Sequence, residues 1–430
     1  MGAVERRELE RLLLGARGLA LFGGALGAPA GRAFLEVLGH AASGRGPELA
    51  AAFGRLWREL AAEEELLLPD AWQSRLVRGL LDDENPFSLA AERGAVPPAL
   101  LEQARRELAV LRGLFELDAR RLLAVVEGRV PELRGLWGAW YYPGGADGSS
   151  PRREVARKLA AAPDWRPCAE LLAGHFSRHG AGSAGRHRAF RWEGGALRSV
   201  AHPDPVRLRE LIGYEREREP LVRNTERFLE GLPAHHALLY GLPGTGKSST
   251  VKALLNEYAD AGLRLVEVRK EDLAELPRVL GALRGRGMRF VLFVDDLSFE
   301  EGEVQYKELK ALLEGSVEAS PENVRVYATS NRRNIVRESF AEREDDVHAR
   351  DTAQEKLSLA ARFGLRLTFP PPDQRLYLEI VRGLARERGL EVPEERLVER
   401  ALLWDRWQAG RSGRTARQFV DELAAELGRG

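Results

Sequence analysis

The chain has 430 residues, which is enough for two or three domains that each bury a core of their own. Hydrophobic residues make up 44% and charged residues 30% of the sequence, and this composition excludes wholesale disorder. Lysine plus arginine equals aspartate plus glutamate at 65 each, so the formal net charge of zero gives no global reason to expect a nucleic-acid or membrane partner.

Helical periodicity dominates residues 1–199. Runs such as 48–60 and 98–117 place apolar residues on one face, and glycine and proline separate these runs at intervals suited to short connections. The N-terminal segment carries acids where a secretion signal is basic, and its longest uncharged run is shorter than the roughly 18 residues of a membrane span. The single cysteine, Cys168, fits a reducing compartment. We expect a mostly helical domain in a cytoplasmic protein with no membrane partner.

Two features of residues 1–199 could be interpreted as functional sites, but their sequence patterns favour structural roles. The aromatic stretch 136–142 can be read as a binding surface, but an aromatic cluster beside a glycine or proline turn is more often core. His175 and His179 have helical i, i+4 spacing without the paired order of known metal motifs. We expect a solvated or capping role for these histidines.

From residue 206 onward the pattern changes to strands that alternate with helices, which predicts a parallel sheet. Just before it, residues 189–198 alternate around a Gly-Gly pair and predict a hairpin, where we place the domain junction. Five strands are predicted, at residues 237–240, 263–268, 290–294, 324–328 and 365–369. Three helices follow, at residues 373–388, 394–407 and 415–427. The predicted domains are 1–199 (mostly helical), 200–370 (α/β) and 371–430 (a small helical lid).

The stretch 236–250 contains a phosphate-binding loop in its proper context. An apolar run leads into a match to G-x-x-x-x-G-K-[ST], and a helical segment follows. Glycines let backbone N–H groups converge on a phosphate, the lysine adds a point charge, and the serine hydroxyl can hold Mg²⁺. The predicted binding residues are Gly241, Leu242, Pro243, Gly244, Thr245, Gly246, Lys247, Ser248 and Ser249.

Downstream residues predict what the loop does with its nucleotide. The apolar run 290–294 ends in Asp295 and Asp296, and we assign Asp295, with Ser248, to Mg²⁺ and Asp296 to the general base that activates water. Asn331, after the fourth strand, is our candidate for orienting that water, although an asparagine there is otherwise a common turn former.

Two arginines are candidates for stabilising charge in the transition state. Arg362 precedes the last strand, where an arginine can reach the nucleotide of a neighbouring subunit. Arg414 starts the last helix, from which it can fold over the phosphates. Either one taken alone would be a surface residue by default.

Together these residues resemble AAA+ ATPases, and in particular an uncharacterised bacterial family of AAA+ ATP-binding proteins. The resemblance is close over residues 206–427 and looser before, and it is carried by the segments LIGYERE, NTERFLEG, YGLPGTGKSS, FVDDLSFE, YKELKALLEG, YATSNRR, EKLSLAARFGL and SGRTARQF. It implies a P-loop AAA+ fold with a five-stranded parallel sheet, helices on both faces and a helical lid.

The resemblance also implies names for the parts. They are Walker A for the loop, Walker B for Asp295 and Asp296, sensor 1 for Asn331, arginine finger for Arg362 and sensor 2 for Arg414. Ile212 and Gly213 match the box that usually cradles adenine, which implies ATP over GTP, bound with Mg²⁺.

Two departures from the family pattern leave alternatives open. AAA+ proteins usually end Walker B in Asp-Glu, whereas this chain has Asp-Asp, so hydrolysis could be slow or Glu300 or Glu301 could contribute. The acidic stretch 342–351 is either a solvated loop or a contact for a partner or substrate.

Three functions from different classes follow. The first is a homo-oligomeric ATPase that remodels or loads a macromolecular client, a protein rather than a nucleic acid, through its helical domain. The second is a nucleotide-gated switch or adaptor with slow turnover, which the Asp-Asp pair motivates. The third is a DNA-associated loader, suggested by Arg332 and Arg333. No pore loop can be assigned, and we expect Tyr306 to pack on its own helix.

Overall fold

The computed structural model describes residues 3–63, 65–142, 150–299, 306–314, 320–331, 359–408 and 410–428. Its backbone forms two compact units, Met1–Arg186 with Arg286–Met288, and His187–Gly285 with Arg289–Gly430. Glu300, Glu301, Arg332, Arg333 and the stretch 342–351 lie outside the described residues, as does the side chain of Tyr306.

The first unit is built from helices, as the sequence predicts. They are α1 (Ala3–Arg17), α2 (Pro29–Ser43), α3 (Gly46–Ala61), α4 (Ala71–Asp82), α5 (Pro86–Glu92), α6 (Pro98–Phe115), α7 (Ala119–Arg129), α8 (Pro151–Ala161), α9 (Cys168–His179) and α10 (Gly182–Arg186). Leucine, alanine and aromatic side chains fill the core, where Phe34 and Trp72 stack with their ring centroids 3.6 Å apart. No helix in the described ranges combines the length and the apolar character that crossing a bilayer requires.

The two features singled out in this unit differ from expectation. His175 is buried at 2% exposure, and burial, with His179 and Arg152 adding to it, lowers its pKa to about 3. A solvated role for His175 is therefore wrong, because its helix turns that side chain into the core. The aromatic stretch divides: Trp140 is buried against Phe53, whereas Tyr141 is 48% exposed.

The second unit contains a sheet in the order β2-β1-β4-β5-β6-β3-β7. Its strands are β1 (Ala189–Glu193), β2 (Ala196–Ser199), β3 (Ala237–Gly241), β4 (Leu263–Glu267), β5 (Arg289–Val294), β6 (Val324–Ser330) and β7 (Leu365–Phe369). The five predicted strands are present and pair in parallel, as expected.

The predicted hairpin adds two strands, so the sheet has seven rather than five. β1 pairs parallel to β4 and antiparallel to β2, and it buries Ala189, Phe190 and Trp192. The hairpin lies in the second unit, which begins at His187, while the domain boundary that we place at residue 199 stays a prediction. A hairpin's own sequence does not encode which sheet edge it extends.

The helices of this unit lie around the sheet and after it. They are α11 (Glu215–Leu229), α12 (Lys247–Tyr258), α13 (Leu276–Leu283), α14 (Tyr306–Glu314), α15 (Gln374–Glu387), α16 (Glu394–Trp407) and α17 (Gly413–Glu426). The last three confirm the predicted lid helices, while a domain boundary at residue 370 stays a prediction. β3 lies between β6 and β7, so the strand order reverses there, and ligands of open α/β sheets bind at such a point.

His236, just before β3, makes the stability of this unit sensitive to acid. Its Nδ1 accepts the N–H of Val326 at 3.0 Å, and burial, with Arg325 and His235 adding to it, lowers its pKa to about 4. An unfolded chain protonates histidine below pH about 6.5. Between pH 6.5 and 4 the unfolded state therefore binds the extra proton, and stability falls by up to about 1.4 kcal/mol per pH unit from this group.

We expect His236→Asn, which keeps an acceptor but does not titrate, to lose less stability on acidification than the wild type. Melting temperatures of both proteins at pH 7.5 and pH 5 measure the difference. Equal losses in the two proteins would contradict the assignment.

Candidate functional site

A cavity of about 520 Å³ opens at the carboxyl end of β3, within the second unit. Most of the predicted site residues line it: Ile212, Pro243, Gly244, Thr245, Gly246, Lys247, Ser248, Ser249, Asp295, Asp296, Asn331 and Arg414. Gly213, Gly241 and Leu242 lie in the segments that form its wall without lining it, and Arg362 lies elsewhere.

The loop between β3 and α12 has a backbone that only glycine adopts easily. Gly244 and Gly246 have φ of +78° and +88°. A Cβ atom on Gly241 would stand 2.1 Å from the carbonyl oxygen of Phe369, and one on Gly244 would stand 3.0 Å from the side chain of Ser412. The glycines therefore permit a tight loop whose N–H groups, with those of the first turn of α12, are placed to bind an anion.

Lys247 lines the cavity, and three acceptors hold its side chain there. Its Nζ donates to the carbonyl oxygens of Gly241 and Leu242, both at 2.8 Å, and to Oδ1 of Asn331 at 3.1 Å. Burial lowers the pKa of Lys247, and the carboxylates of Asp296 and Asp295 oppose that shift. The ammonium group thus stands between the loop and the acids.

The two acids that follow β5 make separate contacts. Asp295 accepts a hydrogen bond from the Ser248 hydroxyl at 2.6 Å, and Asp296 accepts one from the Asn331 amide nitrogen at 2.6 Å. Asn331 also accepts from Lys247, so its amide connects the ammonium group with the carboxylate of Asp296. The fold therefore brings the loop, the two acids and Asn331, which lie far apart in sequence, into contact with one another.

Thr329 and Arg417 belong to this site and are absent from the sequence prediction. Thr329, in the cavity wall, accepts the N–H of Asp296 at 2.9 Å and donates its hydroxyl to Asp295. Alternation along β6 could have indicated it, because residues 329 and 331 are two apart. Arg417 lies one turn after Arg414 on α17, and this spacing places both on one face of the helix.

The opposite end of the cavity is apolar. Leu211 and Ile212 line it together with Ile380 and Leu384 of α15. The two sides interlock, since a Cβ atom on Gly383 would stand 2.3 Å from the Ile212 side chain. This end has the chemistry of a site for a flat base, next to a polar end suited to phosphates.

Tyr214 follows the predicted adenine box and fixes it to the start of the lid. Its φ of +60° is unusual for a bulky residue, and its hydroxyl donates to the carbonyl oxygen of Pro370 at 2.7 Å. Its ring packs at 5.5 Å from the ring of Phe369 at the end of β7. The base end of the cavity is therefore connected to the chain that leads from the sheet into the lid.

Arg362 does not take part in this constellation. Its side chain is 20% exposed and forms an ion pair with Glu314 in the last turn of α14. Its Nε atom is buried without a hydrogen-bond partner in the described residues. Within one chain, Arg362 is thus held by a carboxylate away from the cavity.

The residues present fit a nucleoside triphosphate with Mg²⁺. A hydroxyl and a carboxylate, those of Ser248 and Asp295, offer the hard oxygen ligands that Mg²⁺ prefers. The left-handed backbone at Gly244 and Gly246 lets the N–H groups of the loop converge on a phosphate chain. Lys247 and the two lid arginines supply the positive charge.

The chain is similar to one family model and, over a short stretch, to one curated protein. A family model described as a protein of unknown function (DUF815) matches residues 185–427. The replication factor C large subunit of Thermofilum pendens is 34% identical over 89 residues, which are 20% of this chain and 21% of that protein. The chain therefore spans about a fifth of the length of this curated relative.

Two solved structures with low sequence identity are also similar. The RuvB Holliday junction branch migration motor of Thermotoga maritima is 18% identical, with 51% of this chain and 72% of that chain covered and a TM-score of 0.32. The FIGL-1 AAA domain in complex with ADP is 20% identical, with 52% and 74% covered and a TM-score of 0.36. Since the family match spans more than half of the length of this chain, the chain belongs to the DUF815 family of unknown function.

Proposed function

We propose that this protein is an ATPase that binds ATP with Mg²⁺ in the cavity at the end of β3. The observation that carries the proposal is the connected set Lys247, Asn331 and Asp296, with the Ser248–Asp295 pair beside it. A site for binding alone needs the loop and the lysine. A carboxylate held at 2.6 Å by an amide beside that lysine is the additional part that hydrolysis requires.

The chain's own residues divide the work. Lys247, Arg414 and Arg417 offer positive charge to the phosphates, and bound Mg²⁺, held by Ser248 and Asp295, would offset further negative charge there. Asp296 acts as the general base and accepts the proton of a water molecule that Asn331 helps to orient. The apolar end around Ile212 and Leu384 receives the base, for which we propose adenine.

The test is release of phosphate by the purified full chain. We expect release from ATP that requires Mg²⁺ and stops when Mg²⁺ is chelated, and a slower release from GTP. A protein that binds ATP but turns it over at less than about one per minute would instead be the nucleotide-gated switch. No described residue favours the DNA loader, whose arginines lie outside the described ranges.

We further propose that the enzyme is a homo-oligomer in which Arg362 acts on the nucleotide of a neighbouring subunit. We also propose that this oligomer remodels or loads a macromolecular client, and that the client is a protein. Support comes from its contacts: Arg362 does not line the cavity of its own chain, and its partly exposed side chain forms an ion pair with Glu314. An arginine supplied between subunits stabilises transition-state charge and raises rates by about 10³–10⁵ in other systems.

Mixing two inactive variants tests this arrangement. Lys247→Ala subunits lack the loop lysine and Arg362→Ala subunits lack the finger, so a mixed oligomer contains sites with both groups intact. We expect the mixture to recover ATPase activity that neither variant has, and the wild-type rate per subunit to rise with protein concentration. Arg366→Ala, an exposed arginine on β7, is the matched control and should keep its activity. A mixture no more active than its components would overturn the trans arrangement.

A further inference from the structure

Thr329, at the end of β6, holds three successive residues that follow β5. Its hydroxyl oxygen accepts the N–H of Asp296 at 2.9 Å, and its hydroxyl hydrogen is donated to Oδ1 of Asp295. Its carbonyl oxygen accepts the N–H of Leu297 at 2.7 Å. Thr329 is 1% exposed, so these bonds are shielded from water.

The two acids need such a support because of the backbone between them. In a continuing strand, Asp295 and Asp296 would point to opposite faces of the sheet. Instead, Asp296 has a φ of +52°, a left-handed conformation that ends the strand, and both carboxylates reach the cavity. Residues other than glycine adopt this conformation rarely, so surrounding contacts hold Asp296 in it.

The hydroxyl of Thr329 is suited to this position because it works as acceptor and donor at once. The N–H of Asp296 can only donate and the carboxylate of Asp295 can only accept, so the direction of both bonds is fixed. Asp295 receives a second hydroxyl on the same oxygen, from Ser248 at 2.6 Å. Serine can make the same pair of bonds as threonine, whereas valine, which has the same shape, can make neither.

We propose that Thr329 is a positioning residue that sets both the metal-binding carboxylate of Asp295 and the general base Asp296. This role deepens the proposed ATPase function and rests on it. Thr329 touches neither nucleotide nor metal in this role; it acts through the two aspartates. Replacing a residue that orients a metal ligand from behind typically lowers metal affinity or activity by about 10- to 100-fold.

The test compares Thr329→Val with Thr329→Ser. For the valine variant we expect kcat to fall about 10- to 100-fold and the Mg²⁺ concentration for half-maximal activity to rise. Binding of a fluorescent ATP analogue in the presence of a chelator should not change, because the loop and Lys247 are intact. The serine variant should restore kcat and the Mg²⁺ requirement to within a few-fold of the wild type.

A control removes another buried hydroxyl from the same strand. Tyr327 bonds to Asn224 and Thr225 on the side of α11, so Tyr327→Phe should lower the melting temperature without moving the Mg²⁺ requirement. If Tyr327→Phe shifts that requirement as much as Thr329→Val does, or if serine fails to restore it, Thr329 has only a structural role.

Failure of hydrolysis and failure of this inference give different results. If the wild type binds ATP without hydrolysing it, the ATPase proposal fails. The increase in ATP affinity caused by Mg²⁺ then still tests the role of Thr329. A smaller increase in Thr329→Val than in Thr329→Ser supports the positioning of Asp295, and an equal increase overturns it.

Discussion

Lys247→Ala is expected to weaken ATP binding by about 100-fold or more, since each hydrogen bond to a charged group contributes about 1.5–3 kcal/mol. Lys247 is 6% exposed, and its ammonium group stands between the glycine loop and the two acids. The variant leaves no other lysine or arginine of the loop to replace it. Titration with a fluorescent ATP analogue measures the change directly.

The stability of the folded protein provides an independent measurement. ATP at 100 times its Kd should stabilise the wild type by about 2.7 kcal/mol, and the same ATP concentration should barely move the melting temperature of Lys247→Ala. Lys252→Ala, on the same helix, is the matched control: the side chain of Lys252 is 40% exposed and pairs with Asp204 at 3.5 Å. If Lys247→Ala binds ATP as tightly as Lys252→Ala does, the loop is not the phosphate site.

The sequence could predict the fold and the loop because both are encoded by contiguous segments. The predicted strands are short apolar or alternating runs: β5 is buried on both faces at Phe290–Val294, and β7 alternates between buried and exposed residues. The loop needs only its glycines, its lysine and its serine, in one order, between a strand and a helix. These patterns are local in sequence, and the structure shows which distant residues contact each strand and the loop.

Other features depend on contacts between distant segments and could not be predicted. In the sequence, nothing distinguishes Thr329 from other small residues of a strand. Only the pairing of β6 with β5 brings its hydroxyl into hydrogen-bonding distance of the two aspartates. The hairpin at 189–199 has the right alternation but no sign of the sheet edge that it joins. Burial of His175 depends on which face of α9 meets the core, and one histidine in a helix does not show that.

The backbone conformation of Asp296 changes the interpretation of the Asp-Asp pair. From the sequence, Asp296 is a shorter substitute for the usual glutamate and a reason to expect slow hydrolysis. The structure gives Asp296 a φ of +52°, and aspartate and asparagine adopt the left-handed region more readily than other residues that have a side chain. A shorter carboxylate on this backbone already meets Asn331 at 2.6 Å.

Asp296→Asn is expected to retain ATP binding and to lose hydrolysis by about 100-fold or more, because general base catalysis contributes about 10²–10⁴. Asparagine tolerates the same φ, so the melting temperature should stay near that of the wild type. A rate near that of the wild type would show that Asp296 is not the base.

Asp296→Glu restores the residue that is usual in AAA+ proteins and should nevertheless lower the rate. Glutamate adopts the left-handed backbone less readily, and its extra methylene group moves the carboxylate away from the place where Asn331 and Thr329 hold it. We expect lower kcat together with a lower melting temperature, whereas Asp296→Asn lowers kcat alone. If Asp296→Glu were faster than the wild type, aspartate would be a weakened base at this position, and the slow-turnover switch would be the better description of the protein.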